Sequence, residues 1–172
     1  LTPKSIGVVQ HLEMLCEDFK PEGEIFDNFL MNTVIPYVEN NFPVCTDRQN
    51  VAVCGSSSGG LMSFFSAFEH PEKFGYAGVF SPAFLCYTRE DWAKYLSTKI
   101  VENMPYLYIY TGNGDELEEM IFESTEMLYE LLEESFYPYD RMNEVILFEN
   151  AHNEKSWREI FPDFLHTFLS RL

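Results

Sequence analysis

Apolar positions along the chain follow two rhythms. Short, nearly continuous apolar runs occupy 51–53 (VAV), 77–80 (AGVF), 106–110 (YLYIY) and 145–148 (VILF). Runs of that length bounded by turn residues predict strands, and their lack of polar alternation predicts burial on both faces. A β-branched run at 5–10 (SIGVVQ) predicts one more strand near the start. Between these runs the spacing changes to that of a helix. Phe26, Phe29, Leu30, Val34, Val38 and Phe42 fall on one face of a helix over 24–41, in which Pro36 predicts a kink. Leu61, Phe64, Phe65 and Phe68 mark the next helix, and Trp92, Tyr95, Leu96 and Ile100 form the inner face of one over 89–101. Leu117, Met120, Ile121, Met127, Leu128 and Leu131 stripe a helix over 116–135, and an amphipathic helix over 156–172 closes the chain. Strand and helix thus alternate, which predicts right-handed crossovers and a mostly parallel sheet covered on both faces. A chain of 172 residues, 46% of them hydrophobic, is enough for one such domain over 1–172.

The stretch VAVCGSSSGGLMSFF, from Val51 to Phe65, reads as a buried strand, a sharp turn and a helix. Within it GSSSG fits G-x-S-x-G, which presents a nucleophilic serine on a strained strand-to-helix corner. Side chains two residues either side of the serine would collide with neighbouring backbone, so glycine is expected there. Of the three consecutive serines only Ser57 has glycine at both distances, as Gly55 and Gly59. The competing reading is a Gly/Ser loop that merely turns the chain; the flanking strand and helix favour the nucleophile.

With 28 acidic and 11 basic residues the formal charge is −17. A field of that sign repels phosphates, which argues against nucleic acid or an anionic membrane as partner and favours neutral substrates. Cys16, Cys45, Cys54 and Cys86 contain no C-x-x-C pair, so neither zinc nor a dithiol redox site is suggested. Cys54 is expected in the core, and a core of this size does not need disulfides, which leaves the compartment open. There is no bilayer-length apolar run and no signal-peptide pattern, and the leading Leu1 reads as the start of a piece excised or processed from a longer polypeptide. The glutamates of 116–135 lack calcium-loop spacing and read as a solvated face.

In parallel sheets the ligand crevice lies at the carboxyl ends of the strands. Ser57, Asp115 and His152 each follow a different predicted strand and so face one crevice. Their order, nucleophile, acid and base, is that of α/β hydrolases. A serine hydroxyl needs a base within hydrogen-bond reach, and that base needs a carboxylate to fix its tautomer. Asp115 serves equally well as a helix N-cap; Glu116 is the rival acid, expected to enter the helix and point away. His70, at a helix end before Pro71, is read as structural.

The segments GSSSGGLMSFFSAFEHPEKFGYAGVFSPAF, TGNGDE and AHNEKSWREIFPDFLHTFL resemble the putative-esterase family of α/β hydrolases, which includes enterochelin esterases, S-formylglutathione hydrolases and feruloyl and acetyl-xylan esterases. The likeness runs from about Phe26 to the C-terminus, and its most specific parts are the elbow's doubled glycine and the histidine followed by N-E-x-x-W. It implies an α/β-hydrolase-like three-layer sandwich, Ser57 as nucleophile, His152 as base, Asp115 as acid, and the Ser58 backbone N–H as one oxyanion donor. It implies no cofactor. Members carry several strands before the helix at Glu24, whereas this chain has room for one, so the sandwich is expected to be N-terminally truncated. The expectation is that 6–10 pairs in parallel beside 51–54, with His11 or Leu12 supplying the second oxyanion donor. The expected function is a serine esterase that forms an acyl-enzyme on a small-molecule or carbohydrate-linked ester. The alternatives are a non-catalytic binding domain with half an oxyanion hole, and a peptidase or transferase on the same triad.

Overall fold

The computed structural model describes residues 22–99 and 103–171. The strand expected at 5–10, its pairing with 51–54 and the donor expected at His11 or Leu12 lie outside the described residues. Four strands, β1 (Ala52–Ser56), β2 (Tyr76–Phe80), β3 (Tyr106–Thr111) and β4 (Met142–Ile146), form one sheet in the order β1-β2-β3-β4. Every pairing is parallel, with Ser56 opposite Phe80, Phe80 opposite Tyr110, and Thr111 opposite Ile146. All four carboxyl ends therefore open on the same edge of the sheet. The α-helices of the described chain are α1 (Gly23–Phe29), α2 (Ile35–Asn41), α3 (Ser58–Glu69), α4 (Arg89–Lys99), α5 (Glu116–Glu134) and α6 (Glu154–Leu169). Among the described residues no helix is long and apolar enough to cross a membrane.

Side chains alternate across the sheet as a period of two requires. On one face Ala77, Val79, Leu107 and Ile109 meet Phe64 and Phe68 of α3, Trp92 and Leu96 of α4, and Leu128, Leu131 and Leu132 of α5. Phe64 is the hub, with its ring 4.3 Å from Phe68, 5.1 Å from Phe84 and 5.7 Å from Trp92. Side chains buried to this depth each stabilise the fold by about 1.5–3 kcal/mol. On the opposite face Phe80, Tyr106, Tyr108 and Tyr110 pack under Ile160 and Phe164 of α6. Tyrosine suits that face because the ring fills the layer while the hydroxyl reaches a polar partner. Tyr108 donates to Asp163 on α6, and Tyr110 accepts from Asn150. Burial, with Asp163 as its partner, pushes the Tyr108 phenol far up.

Three expectations change. The last strand is Met142–Ile146, not 145–148. Pairing with β3 sets its register and draws in the polar Asn143 and Glu144 that interrupt the apolar run, while Phe148 is left exposed beyond the strand. Cys54 is exposed rather than core. Its register places it on the α6 face of β1, and α6 crosses β2, where Phe164 lies over Gly78. The helix over 24–41 buries only part of the predicted face: Leu30 meets the core together with Met31 and Ile35, and Val34 and Val38 are half-buried, whereas Phe26, Phe29 and Phe42 are exposed. The buried Asp27 explains the choice, since it accepts from Ser66 Oγ at 2.6 Å and lies 2.7 Å from His70 Nε2. Positions three, four and eight residues beyond Asp27 then share its face. The kink expected at Pro36 takes the form of a π-helical turn over Leu30–Val34, with Ile35 N–H bonded back to Leu30 O, just before the proline that has no N–H to give.

Candidate active site

Ser57 sits between β1 and α3 with φ 57° and ψ −122°, a conformation a non-glycine residue adopts at a cost. The corner is held by backbone: Ser57 N–H donates to Phe80 O, while Ser57 O accepts from Leu61 N–H and Ala83 N–H. The glycine requirement falls partly where expected. A Cβ on Gly55 would lie 2.6 Å from Gly59 O, and one on Gly60 would lie 2.8 Å from Phe80 O. A Cβ on Gly59 would meet nothing within 4 Å, so the second steric requirement belongs to Gly60 rather than Gly59.

Ser57 Oγ donates to His152 Nε2 at 3.0 Å, which joins residues that are 95 positions apart. The other ring nitrogen, Nδ1, lies 2.7 Å from Glu118 Oε2, and that carboxylate is completely buried. With a carboxylate at Nδ1 the proton belongs on that nitrogen, which leaves Nε2 to accept from serine. Glu118 Oε1 accepts from Ser81 Oγ–H at 2.6 Å and from Gly112 N–H at 2.8 Å. The carboxylate against the imidazole is therefore Glu118, and the expectation of Asp115 is corrected. Asp115 is the N-cap of α5: Oδ1 accepts from Glu118 N–H, and Oδ2 accepts from the backbone N–H of His152, both at 2.8 Å. It holds the histidine's loop rather than its ring. Desolvation alone would raise the Asp115 carboxyl, but the N–H donors of Glu118 and His152, together with the nearby imidazole, outweigh it and hold the group below its ordinary value. Glu116 is exposed.

The sequence carried a signal for Glu118 in its D-x-x-E spacing, because a glutamate at the third helical position reaches back over the helix start. Here that direction leads to the carboxyl ends of β2 and β3.

Two loops bring the ring to the serine. The loop after β3 and the loop after β4 are interlocked, with Gly114 N–H donating to Asn150 O and Glu149 N–H to Asn113 Oδ1. The fit leaves no space for side chains: a Cβ on Gly112 would stand 2.2 Å from Asn150 O, and one on Gly114 would stand 2.2 Å from Glu149 O. Asn153 then caps α6 by accepting from Lys155 N–H and Ser156 N–H, so the helix starts two residues after His152. Trp157, one turn along, sets its ring 5.0 Å from the imidazole and perpendicular to it. Ser58 opens α3, where the first N–H groups have no carbonyl partner within the helix. His70 lies at the far end of the same helix, in the Asp27 and Ser66 cluster, about 18 Å away at the rise of an α-helix.

The chain is similar to several known proteins. The chain is 32% identical over 107 residues to an endo-1,4-beta-xylanase/feruloyl esterase of Xylanibacter ruminicola, covering 62% of this chain and 13% of that protein. The enterobactin esterase of Shigella flexneri superposes with a TM-score of 0.72 at 18% identity, covering 84% of this chain and 38% of the other. The ferulic acid esterase of Anaeromyces mucronatus superposes with a TM-score of 0.61 at 20% identity, covering 87% and 57%. The chain thus spans well under two thirds of each of these proteins. Both structural likenesses are of fold, an α/β-hydrolase-like sandwich built on a parallel sheet. Residues 16–168 match the family described as Putative esterase, and on that extent of sequence the chain belongs to it.

Proposed function

We propose that this chain carries a serine carboxylic ester hydrolase site in which Ser57, His152 and Glu118 act as nucleophile, base and acid. The observation that carries the reading is the unbroken path from Ser57 Oγ through the imidazole to a buried carboxylate. In the reaction His152 Nε2 takes the Ser57 proton as Oγ attacks the ester carbonyl. The tetrahedral oxyanion accepts from the free Ser58 N–H at the start of α3, where the helix dipole also favours negative charge. Collapse expels the alcohol, which takes its proton from His152, and leaves an acyl-Ser57 ester. Water deprotonated by the same nitrogen then releases the acid and restores the serine. Glu118 keeps the ring in the reactive tautomer and stabilises the imidazolium formed at each step.

For substrate, two of the similar proteins are named for feruloyl or ferulic acid esters and a third for enterobactin. The reading they support is a small or carbohydrate-linked acyl ester. The test is the time course of a p-nitrophenyl ester: an initial burst of nitrophenol followed by slower turnover is expected, and both disappear in Ser57→Ala. No hydrolysis by the unaltered protein, or equal hydrolysis by Ser57→Ala, would overturn the reading in favour of a binding domain.

A further inference from the structure

We infer that Ser81 and Trp157 are positioning residues that act through Glu118, an inference that rests on the serine-hydrolase reading of the site. Ser81 follows β2 as Ser57 follows β1, since their preceding residues Phe80 and Ser56 are register partners. Both serines have positive φ, 40° at Ser81 and 57° at Ser57. Ser81 is completely buried, and its N–H donates to Tyr110 O at 2.7 Å. A serine held in that conformation and without solvent has its hydroxyl aimed by the backbone.

The direction of the hydrogen bonds follows from the inventory of donors. An indole Nε1–H only donates, and that of Trp157 lies 3.0 Å from Ser81 Oγ. Ser81 Oγ accepts it, so the hydroxyl's own proton goes to Glu118 Oε1 at 2.6 Å. Oε1 also takes Gly112 N–H at 2.8 Å. With two donors fixing Oε1, Oε2 is left aimed at His152 Nδ1. Among the described residues the one ionic partner of Glu118 is His152, so these neutral donors hold a buried charge that no lysine or arginine pairs with. Trp157 contributes twice, since its ring also stands edge-on to the imidazole. The relay thus draws on the ends of β2 and β3 and on α6 to orient one carboxylate of α5. The titratable groups bearing on it are Glu118 and His152 themselves, Asp115 through the His152 backbone, and Tyr110 of β3, whose phenol feels the Glu118 charge.

Removing a donor makes a carboxylate more basic, and a coupled carboxylate–imidazole pair then keeps its proton to higher pH. Ser81→Gly deletes the hydroxyl and suits the positive φ, which offsets part of the cost of leaving Glu118 Oε1 and the Trp157 N–H one partner short. Trp157→Phe keeps an aromatic ring beside the imidazole and deletes the N–H donor together with part of the indole. The experiment is an NMR titration of the His152 ring in the parent, Ser81→Gly and Trp157→Phe, with kcat/KM against pH on a p-nitrophenyl ester alongside. The expected result is a His152 midpoint, and an acid limb of kcat/KM, raised by about 0.5–1 pH unit in Ser81→Gly and by less in Trp157→Phe. Unchanged midpoints in both variants would overturn the relay, even where rate or thermal stability falls. The titration is read whether or not the protein turns over substrate, so loss of the relay and loss of the hydrolase reading are separate outcomes.

Discussion

Ser57 is the N-cap of α3, yet its hydroxyl caps nothing, because it is committed to His152 Nε2. A serine cap is ordinarily worth about 1 kcal/mol; here that stabilisation is forgone for the contact with His152. Ser57→Ala is therefore expected to abolish ester hydrolysis and leave the thermal midpoint unchanged, whereas Ser56→Ala and Ser58→Ala retain most activity because neither hydroxyl attacks. The two carboxylates separate in the same way. Glu118→Gln is expected to cost on the order of 10³–10⁴ in kcat, since an amide can hold the ring in the wrong tautomer. Asp115→Ala, which loses a cap and a loop contact, is expected to cost about 1–2 kcal/mol of stability and much less rate. Steady-state kinetics and thermal unfolding on the pair decide it: a larger kcat loss in Asp115→Ala would return the acid's role to Asp115. The meeting of Ser57 with His152 was legible because only Ser57 has glycine at both flanking distances and both residues follow strands. Glu118 was not, because distance from the strand end was counted along the chain, whereas a first-turn side chain points back toward its helix start.

The site depends on how two loops fit together. Gly112 and Gly114 let the loop after β3 lie against the backbone of Glu149 and Asn150, and that contact sets the height of His152 over Ser57. Gly112→Ala is expected to lose about 1–3 kcal/mol and most activity together, while Gly59→Ala, with open space around it, keeps both; equal behaviour of the two would refute the interlock. A second test concerns β4 and α5. Burial, then a shared hydrogen bond with Glu126 and repulsion from it, pushes the Glu144 carboxyl up to about 7, and its Oε1 is buried without a partner. An acid whose folded pKa is raised favours the fold fully below its unfolded value, near 4.5, and loses that contribution as pH rises to about 7. Glu144→Gln is accordingly expected to raise the melting temperature at pH 8 and change it little at pH 4.5. A gain that does not grow with pH would show that the carboxyl is not held protonated. The apolar run begins three residues after strand β4 does, because Asn143 and Glu144 precede it, and only pairing with β3 draws them into the strand.

At the scale of the molecule, alternation of apolar runs with helical stripes was enough to foresee a parallel sheet whose carboxyl ends share one edge, and the ladder β1-β2-β3-β4 has that form. The inward face of the helix at 24–41 was legible only in part, at Leu30, Val34 and Val38; the exposure of Phe26 and Phe29 follows from the buried Asp27 and its partners on α3, a contact across 39 positions that no local period encodes. The central claim is that Ser57 is made nucleophilic by His152, with Glu118 behind it. Its most direct measurement is the rate of covalent labelling by a fluorophosphonate, with the adduct located by peptide mass mapping in the parent, His152→Ala and Glu118→Gln. One adduct is expected, on Ser57, forming slowly in Glu118→Gln and not detectably in His152→Ala. No adduct on Ser57 in the parent, or an equal rate without His152, would contradict it.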